Sequence, residues 1–218
     1  MYRLVNRGMG VEGVTDALRL LKLLPRHSLD KVAHDPCLWD RVTCADGIVR
    51  TIYWSRTQYT YSHIRDTVDM LCLEWLPSTV TDFALAGHNK GGPIDTRKLP
   101  RDLVHIDVRN NQLVGSLHLN SLPQRLRRAD FRMNLFSGTV NLERTPPELE
   151  ALLAKGNNFD VIIVDNATIT QGDCFFSFGK EVKEGEVQIP LFEKNGGIPD
   201  ERIRMEIATY YDRQYFGA

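Results

Sequence analysis

Four prolines spaced 23 residues apart, Pro77, Pro100, Pro123 and Pro146, divide the middle of the chain into segments of equal length. A fixed period of this kind is typical of proteins that stack one structural unit several times. When the segments are aligned on the prolines, apolar residues fall into common columns. These columns are Val80, Leu103, Leu126 and Leu149; then Phe83, Ile106, Ala129 and Leu152; then Leu85, Val108, Phe131 and Ala154.

The spacing of the columns predicts one short strand in each segment. The second and third columns are separated by a single residue, so their side chains point to the same side of a strand. One unit alone cannot bury its apolar edge, and stacking the units creates the core. A fourth column, His88, Asn111, Asn134 and Asn157, follows each strand, where side-chain amides can bind backbone groups that water does not reach.

An earlier unit precedes the regular repeats. Val49, Ile52 and Trp54 occupy the three apolar positions, 31 residues before the next unit. We interpret the additional length as an insertion with a helix over roughly residues 62–73, because apolar residues recur there at helical spacing. The chain is therefore expected to contain about five coils.

Glycines in the repeats and a cysteine-flanked segment resemble a known family. Gly92, Gly115 and Gly138 each lie four residues after the fourth column, in a pattern that resembles the Asn-x-Leu-x-Gly-x-Ile/Leu signature of plant-type leucine-rich repeats. The Leu-Pro-x-x-Leu phase is similar to that of kinetoplastid repeats. Residues 37–44, Cys-Leu-Trp-Asp-Arg-Val-Thr-Cys, resemble the N-terminal cap of the family, with Arg41 where the family has glycine.

The resemblance implies an α/β solenoid: a short leucine-rich repeat horseshoe with a parallel β-sheet, a helical N-terminal cap, and a C-terminal cap of strands and helix. We expect the N-terminal cap over residues 1–48, with its helix at 16–24, the repeats over 49–165 and the C-terminal cap over 166–218. In the last part, strands are predicted at 161–164, 174–178 and 186–191. A final helix is predicted after Asp200, with Ile203, Ile207 and Tyr210 on one face.

The state of the cysteines depends on the compartment. In secreted members of the family the cap cysteines are disulfide-bonded, so the resemblance allows a bond between Cys37 and Cys44. No apolar segment follows Arg3 and Arg7, which predicts that a secretory signal is absent, that the protein is cytoplasmic and that these thiols are reduced. Cys72 and Cys174 are expected to be buried thiols. A secreted or surface antigen-like protein is the alternative.

The charge of the chain is balanced overall and uneven along its length. Lys and Arg number 27 and Asp and Glu 28, which argues against a protein that mainly neutralises phosphates. Residues 97–132, however, contain eight basic and three acidic side chains, whereas residues 133–218 contain eight basic and fourteen acidic ones. RNA or ribonucleoprotein is therefore an alternative partner for the basic region, and no apolar run is long enough for a membrane span. The basic residues of this region that would bind RNA are Arg97, Lys98, Arg101, Arg125, Arg127, Arg128 and Arg132.

Residues between the apolar columns project from the concave face, where solenoids usually bind their partners. On the middle coils these residues are mainly charged. The charges can neutralise one another, or they can form a recognition patch in which Tyr53 and Met133 are apolar anchors. The predicted partner-binding residues are Tyr53, Arg56, Asp82, His105, Asp107, Arg109, Arg128, Asp130, Arg132, Met133 and Lys155.

The sequence contains no motif of a hydrolase, a metalloprotease, a phosphate-binding loop or a dinucleotide-binding fold. We therefore expect no enzymatic activity, no cofactor and no metal site. The function predicted from the residues is a non-enzymatic interaction module that binds a protein partner through its concave face, alone or as a subunit of a larger assembly.

Overall fold

The computed structural model describes residues 35–55, 70–73, 76–164, 175–183, 186–188, 191–193 and 203–205. These residues form β-strands and short 3₁₀ turns, without an α-helix, so the fold is a β-solenoid where an α/β solenoid was predicted. The predicted cap helix at 16–24 and most of the predicted insertion helix lie outside the described residues. No helix among those described is long and apolar enough to cross a membrane.

Fifteen strands build the described part of the molecule. In chain order they are β1 Val42–Ala45, β2 Ile48–Tyr53, β3 Asp82–Ala84, β4 Gly91–Pro93, β5 His105–Asp107, β6 Gln112–Gly115, β7 Arg128–Asp130, β8 Leu135–Asn141, β9 Ala151–Leu153, β10 Asn158–Ile163, β11 Phe175–Phe178, β12 Lys180–Lys183, β13 Glu186–Gln188, β14 Leu191–Glu193 and β15 Ile203–Met205. The main sheet has the order β1-β2-β3-β5-β7-β9-β11-β15, and a second sheet has the order β14-β10-β8-β6-β4. Four successive turns of the chain thus contribute one strand to each sheet.

The 23-residue period sets the register of the main sheet. Phe83 pairs with Ile106, Ile106 with Ala129, and Ala129 with Leu152, all between parallel strands. Each of these side chains is at most 1% exposed. The apolar columns of the sequence are therefore the core between the two sheets, and the residues on either side of each column point away from it.

The asparagine column connects successive turns of the solenoid. The Asn134 side-chain amide donates to the Val108 carbonyl of the preceding turn at 3.0 Å and to Phe131 of its own turn at 3.1 Å. Its oxygen accepts from the Leu113 amide at 3.1 Å. Asn111 and Asn157 repeat this arrangement, and in the first turn the ring nitrogen Nε2 of His88 bonds the Trp54 carbonyl. These buried bonds hold each turn against the one before it.

Strands β1 and β2 form a hairpin, and a disulfide joins β1 to the 3₁₀ turn Pro36–Leu38 that precedes it. β1 and β2 are antiparallel and are joined at Asp46 and Gly47, whose φ angles of 52° and 71° are those of a tight hairpin turn. Cys37 is bonded to Cys44, so the prediction of reduced thiols is wrong. Trp39 stacks on Trp54 with ring centroids 6.1 Å apart, which attaches the segment before the hairpin to the core.

At the other end, the edge of the main sheet is covered by a strand. β15, Ile203–Met205, pairs in parallel with β11. The prediction of a helix that includes Ile203 is therefore wrong. The apolar-polar-apolar alternation of these three residues also suits a strand, and the unpaired backbone groups of β11 favour that choice.

Candidate interaction surface

The outward side chains of strands β2, β3, β5, β7 and β9, with the residues that follow them up to Lys155, form what we call the main-sheet face. The β-register arranges it in rows. The first row contains Thr51, Asp82, His105, Arg128 and Ala151, and the second contains Tyr53, Ala84, Asp107, Asp130 and Leu153. The rows predicted from the 23-residue alignment are thus neighbours in the structure.

His105 and Asp82 are joined by a hydrogen bond in the first row. The ring nitrogen Nδ1 of His105 lies 2.5 Å from Oδ1 of Asp82, and the Thr81 hydroxyl donates to the other carboxylate oxygen at 2.6 Å. The Asp82 side chain is 24% exposed and that of His105 is 46% exposed. Because the carboxylate fixes one side of the imidazole ring, the exposed side of His105 is available to a ligand.

Arg128 follows His105 in the same row and is exposed. Within the part of the chain that the structure describes, no carboxylate forms an ion pair with its guanidinium group. The neighbour of Arg128 on the other side is Ala151, which has no charge. Arg128 therefore presents an uncompensated positive charge with five potential donors to the outside.

Four charges in and beside the second row neutralise one another. Asp130 is buried and binds Arg132 through two oxygens, with Nε–Oδ1 and Nη2–Oδ2 distances of 2.8 and 2.5 Å. Arg109 lies between the two acids, 3.6 Å from Asp130 through Nη1 and 3.6 Å from Asp107 through Nε. This charge quartet, Asp107, Arg109, Asp130 and Arg132, is an internal network.

The surroundings of Asp107 disfavour the ionised form of its side chain. Burial raises its pKa to about 6, the neighbouring charge of Asp130 adds to the increase, and Arg109 opposes it. The two acids are directly paired across β5 and β7. Like charges at this separation disfavour joint ionisation, so Asp107 can take up a proton in mildly acidic solution.

Tyr53 lies at the start of the second row and is 48% exposed. Its pKa is raised by burial, and the carboxylates of Asp82 and Asp107 increase it further. The phenol is thus neutral over the physiological range. It offers an apolar ring and one polar hydroxyl group, the combination that often anchors protein interfaces.

The remaining predicted residues are less accessible. Lys155 is 7% exposed and Asp130 is 4% exposed, so neither is on the surface. Met133 is half-buried, with a φ of 55° and its sulfur next to Gly156. Arg56 lies outside the described residues. The structure therefore reduces the exposed part of the predicted patch to Tyr53, His105 and Arg128, with Asp82 supporting His105.

The basic region that suggested RNA binding is divided among separate contacts. Arg97 binds Asp95, Arg125 binds Asp102 and Arg127 binds Glu150. Arg101 donates to backbone carbonyls, among them that of Thr96 at 3.0 Å. Since Arg132 binds Asp130, most of these side chains already have an intramolecular partner, and they do not form one strip of free cations.

The second sheet carries an exposed apolar patch that was not predicted from the sequence. Pro93, Val114 and Leu135 are paired across β4, β6 and β8 and are all exposed, and Met70 lies beside them next to Gly92. A groove of about 380 Å³ borders the patch. The signal was present in the repeat, because Val114 and Leu135 are apolar residues at positions that point outward from this sheet.

The chain is similar in structure to plant leucine-rich repeat proteins. It matches the leucine-rich repeat ectodomain of the receptor kinase SOBIR1 from Arabidopsis thaliana at 20% identity and a TM-score of 0.50, over 67% of this chain and 87% of that one. It matches Pollen Receptor Kinase 3 at 18% identity and a TM-score of 0.51, over 86% of this chain and 94% of that one. No protein-family model matches the chain, and no curated protein matches it in sequence. The chain has the leucine-rich repeat fold.

The cytoplasmic location predicted from the sequence is wrong. The Cys37–Cys44 disulfide indicates an oxidising compartment, because cytosolic thiols are kept reduced. The disulfide therefore points to a secreted or extracellular protein.

Proposed function

We propose that this chain is a non-enzymatic interaction module that binds a protein partner through the main-sheet face. The observation that carries the proposal is the exposure of Tyr53, His105 and Arg128 on strands of one sheet. Neighbouring strands are about 4.8 Å apart, so the three side chains span roughly 15 Å, which suits a segment of another protein. Aromatic and arginine side chains are frequent at the centres of protein interfaces.

The main-sheet face is also rigid enough for recognition without rearrangement. Each strand is tied to its neighbours by the sheet and to the next turn by the asparagine column. The backbone that carries the exposed side chains is thus already held in place before binding, which reduces the entropy lost on binding.

The proposal is tested on the partner that copurifies with the native protein. Tyr53→Ala and Arg128→Glu should each weaken the complex about tenfold or more, measured by calorimetry or biolayer interferometry. Arg125→Glu is the matched control, because Arg125 is exposed and forms only a surface pair with Asp102. Unchanged affinity of both face variants would place the interface elsewhere. The mass of the native complex shows whether the chain is a subunit of a larger assembly.

A further inference from the structure

The uncompensated positive charge of Arg128 on the main-sheet face favours an acidic partner. The face contains Arg109, Arg128 and Arg132 and the carboxylates of Asp82, Asp107 and Asp130, while Lys155 is buried and adds nothing to the exposed charge. The charge quartet is neutral by itself when both of its acids are ionised. Arg128 is thus the exposed cation of this face whose charge no described carboxylate neutralises.

We propose that the partner presents an acidic segment to Arg128 and His105, and that the Asp107–Asp130 pair makes this segment bind more tightly in mildly acidic than in neutral solution. The inference rests on the proposed function, because it assumes that the main-sheet face is the binding surface. It adds the chemistry of the partner and the condition that strengthens its binding.

The pH dependence follows from the surroundings of the acid pair. Arg109 contacts both acids and Arg132 binds Asp130, while Arg128 lies two residues before Asp130 on β7. Asp82 and His105 lie in the first row, Tyr53 lies in the second row, and Lys155 follows β9. When Asp107 takes up a proton, one negative charge disappears from this group and the two arginines of the quartet outnumber its remaining carboxylate. The face becomes more positive toward an acidic segment.

The direction of the pH effect depends on the difference between the pKa of Asp107 and the pKa of the partner's aspartates. The pKa of Asp107 is about 6, whereas an exposed aspartate of the partner titrates near 4. Between these values, Asp107 is increasingly protonated while the partner remains negative. At a separation of roughly 8 Å and an effective dielectric constant of about 40, the loss of one repulsive charge strengthens binding by about fivefold.

The test uses a fluorescent hexa-aspartate peptide at low salt, with a hexa-asparagine peptide of the same length as the control ligand. The wild-type chain should bind hexa-aspartate about threefold to tenfold more tightly at pH 5.0 than at pH 7.5. Asp107→Asn imitates the protonated acid, so this variant should bind more tightly than the wild type at pH 7.5 and should show a smaller difference between the two pH values. Arg128→Gln should weaken binding at both pH values. Asp102→Asn, at an exposed pair outside the face, should leave the wild-type ratio unchanged.

The same measurements are made in a His105→Gln background, where Asp107→Asn must still remove the pH effect. The carboxyl carbon signal of Asp107, followed by NMR, should show a midpoint near pH 6. Equal pH ratios with and without Asp107→Asn, no binding of hexa-aspartate, or tighter binding of a single-stranded RNA of equal charge would each overturn the inference. The proposed function fails separately, if the copurified partner binds Tyr53→Ala and Arg128→Glu as it binds the wild type.

Discussion

At the scale of single residues, one position in each turn requires a left-handed backbone. The residue before the asparagine column has a positive φ throughout and is Gly87, Asn110, Met133 or Gly156; Gly179, one period after Gly156, also has a positive φ. Glycine and asparagine adopt this conformation readily, whereas methionine does so at a cost. The sequence alignment places these residues in one column but does not reveal their φ angles, since Met133 gives no sign of a turn.

Gly156→Ala should destabilise the fold by about 2 kcal/mol or more. The new Cβ would lie 2.5 Å from the Met133 sulfur and 3.2 Å from the Met133 amide nitrogen, at a φ of 76°. Gly47→Ala is the matched control, because its φ of 71° imposes similar backbone strain with no atom within 4 Å. Urea unfolding should show a clearly smaller loss for Gly47→Ala. Equal losses would mean that the contact with Met133 is unimportant.

Asp107 should make the protein less stable as the pH rises through 6. Its pKa is higher in the folded chain than the ordinary 3.8, so between these values the folded state binds more protons than the unfolded state. The free energy of unfolding therefore decreases with rising pH over this window. Asp107→Asn should remove this part of the pH dependence and stabilise the chain at pH 7.5 by about 1 to 3 kcal/mol. Urea unfolding at pH 4.5, 6 and 7.5 measures the free energy of unfolding of both proteins. An Asp107→Asn variant that is less stable than the wild type at pH 7.5 contradicts the prediction.

At the scale of elements, the period of the sequence determines which strands pair and in what register. Phe83, Ile106, Ala129 and Leu152 could be assigned to neighbouring strands because they are 23 residues apart and each must be buried. The same reasoning failed where the repeat ends. Ile203 fits an apolar helix face and also an alternating strand, and only the free edge of β11 decides between them.

Asn134→Ala should cost about 2 to 4 kcal/mol of stability. The substitution leaves the Leu113 amide and the Val108 and Phe131 carbonyls without this buried side-chain partner. Asn141→Ala is the comparison, since Asn141 is exposed and bonds only to Glu143 nearby. Thermal unfolding should separate the two variants by several degrees. A small effect at Asn134 would show that the asparagine column contributes little to the stacking.

At the scale of the whole molecule, the rows of the main-sheet face could be predicted, but their accessibility could not. The alternation of each strand places His105, Asp107, Arg128 and Asp130 outside the core. Whether an outward charge reaches water depends on the neighbours beside it, and Asp130 is covered by the arginines that bind it. The sequence shows that opposite charges lie close together, but it does not show which charge has no ion-pair partner. Among the described residues of this face, that charge is Arg128.

The disulfide between Cys37 and Cys44 concerns the whole molecule, because it indicates an oxidising compartment and can be tested by counting thiols. Of the four cysteines, two should react with a thiol reagent under denaturing, non-reducing conditions, and four after reduction. Cys37→Ser with Cys44→Ser should cost about 2.5 kcal/mol, as expected for the short loop that the bond closes. The double substitution should loosen the hairpin and the Trp39–Trp54 stack, so during unfolding the tryptophan fluorescence should change before the repeats unfold. Four reactive thiols before reduction, in protein isolated from its native source, would contradict the disulfide.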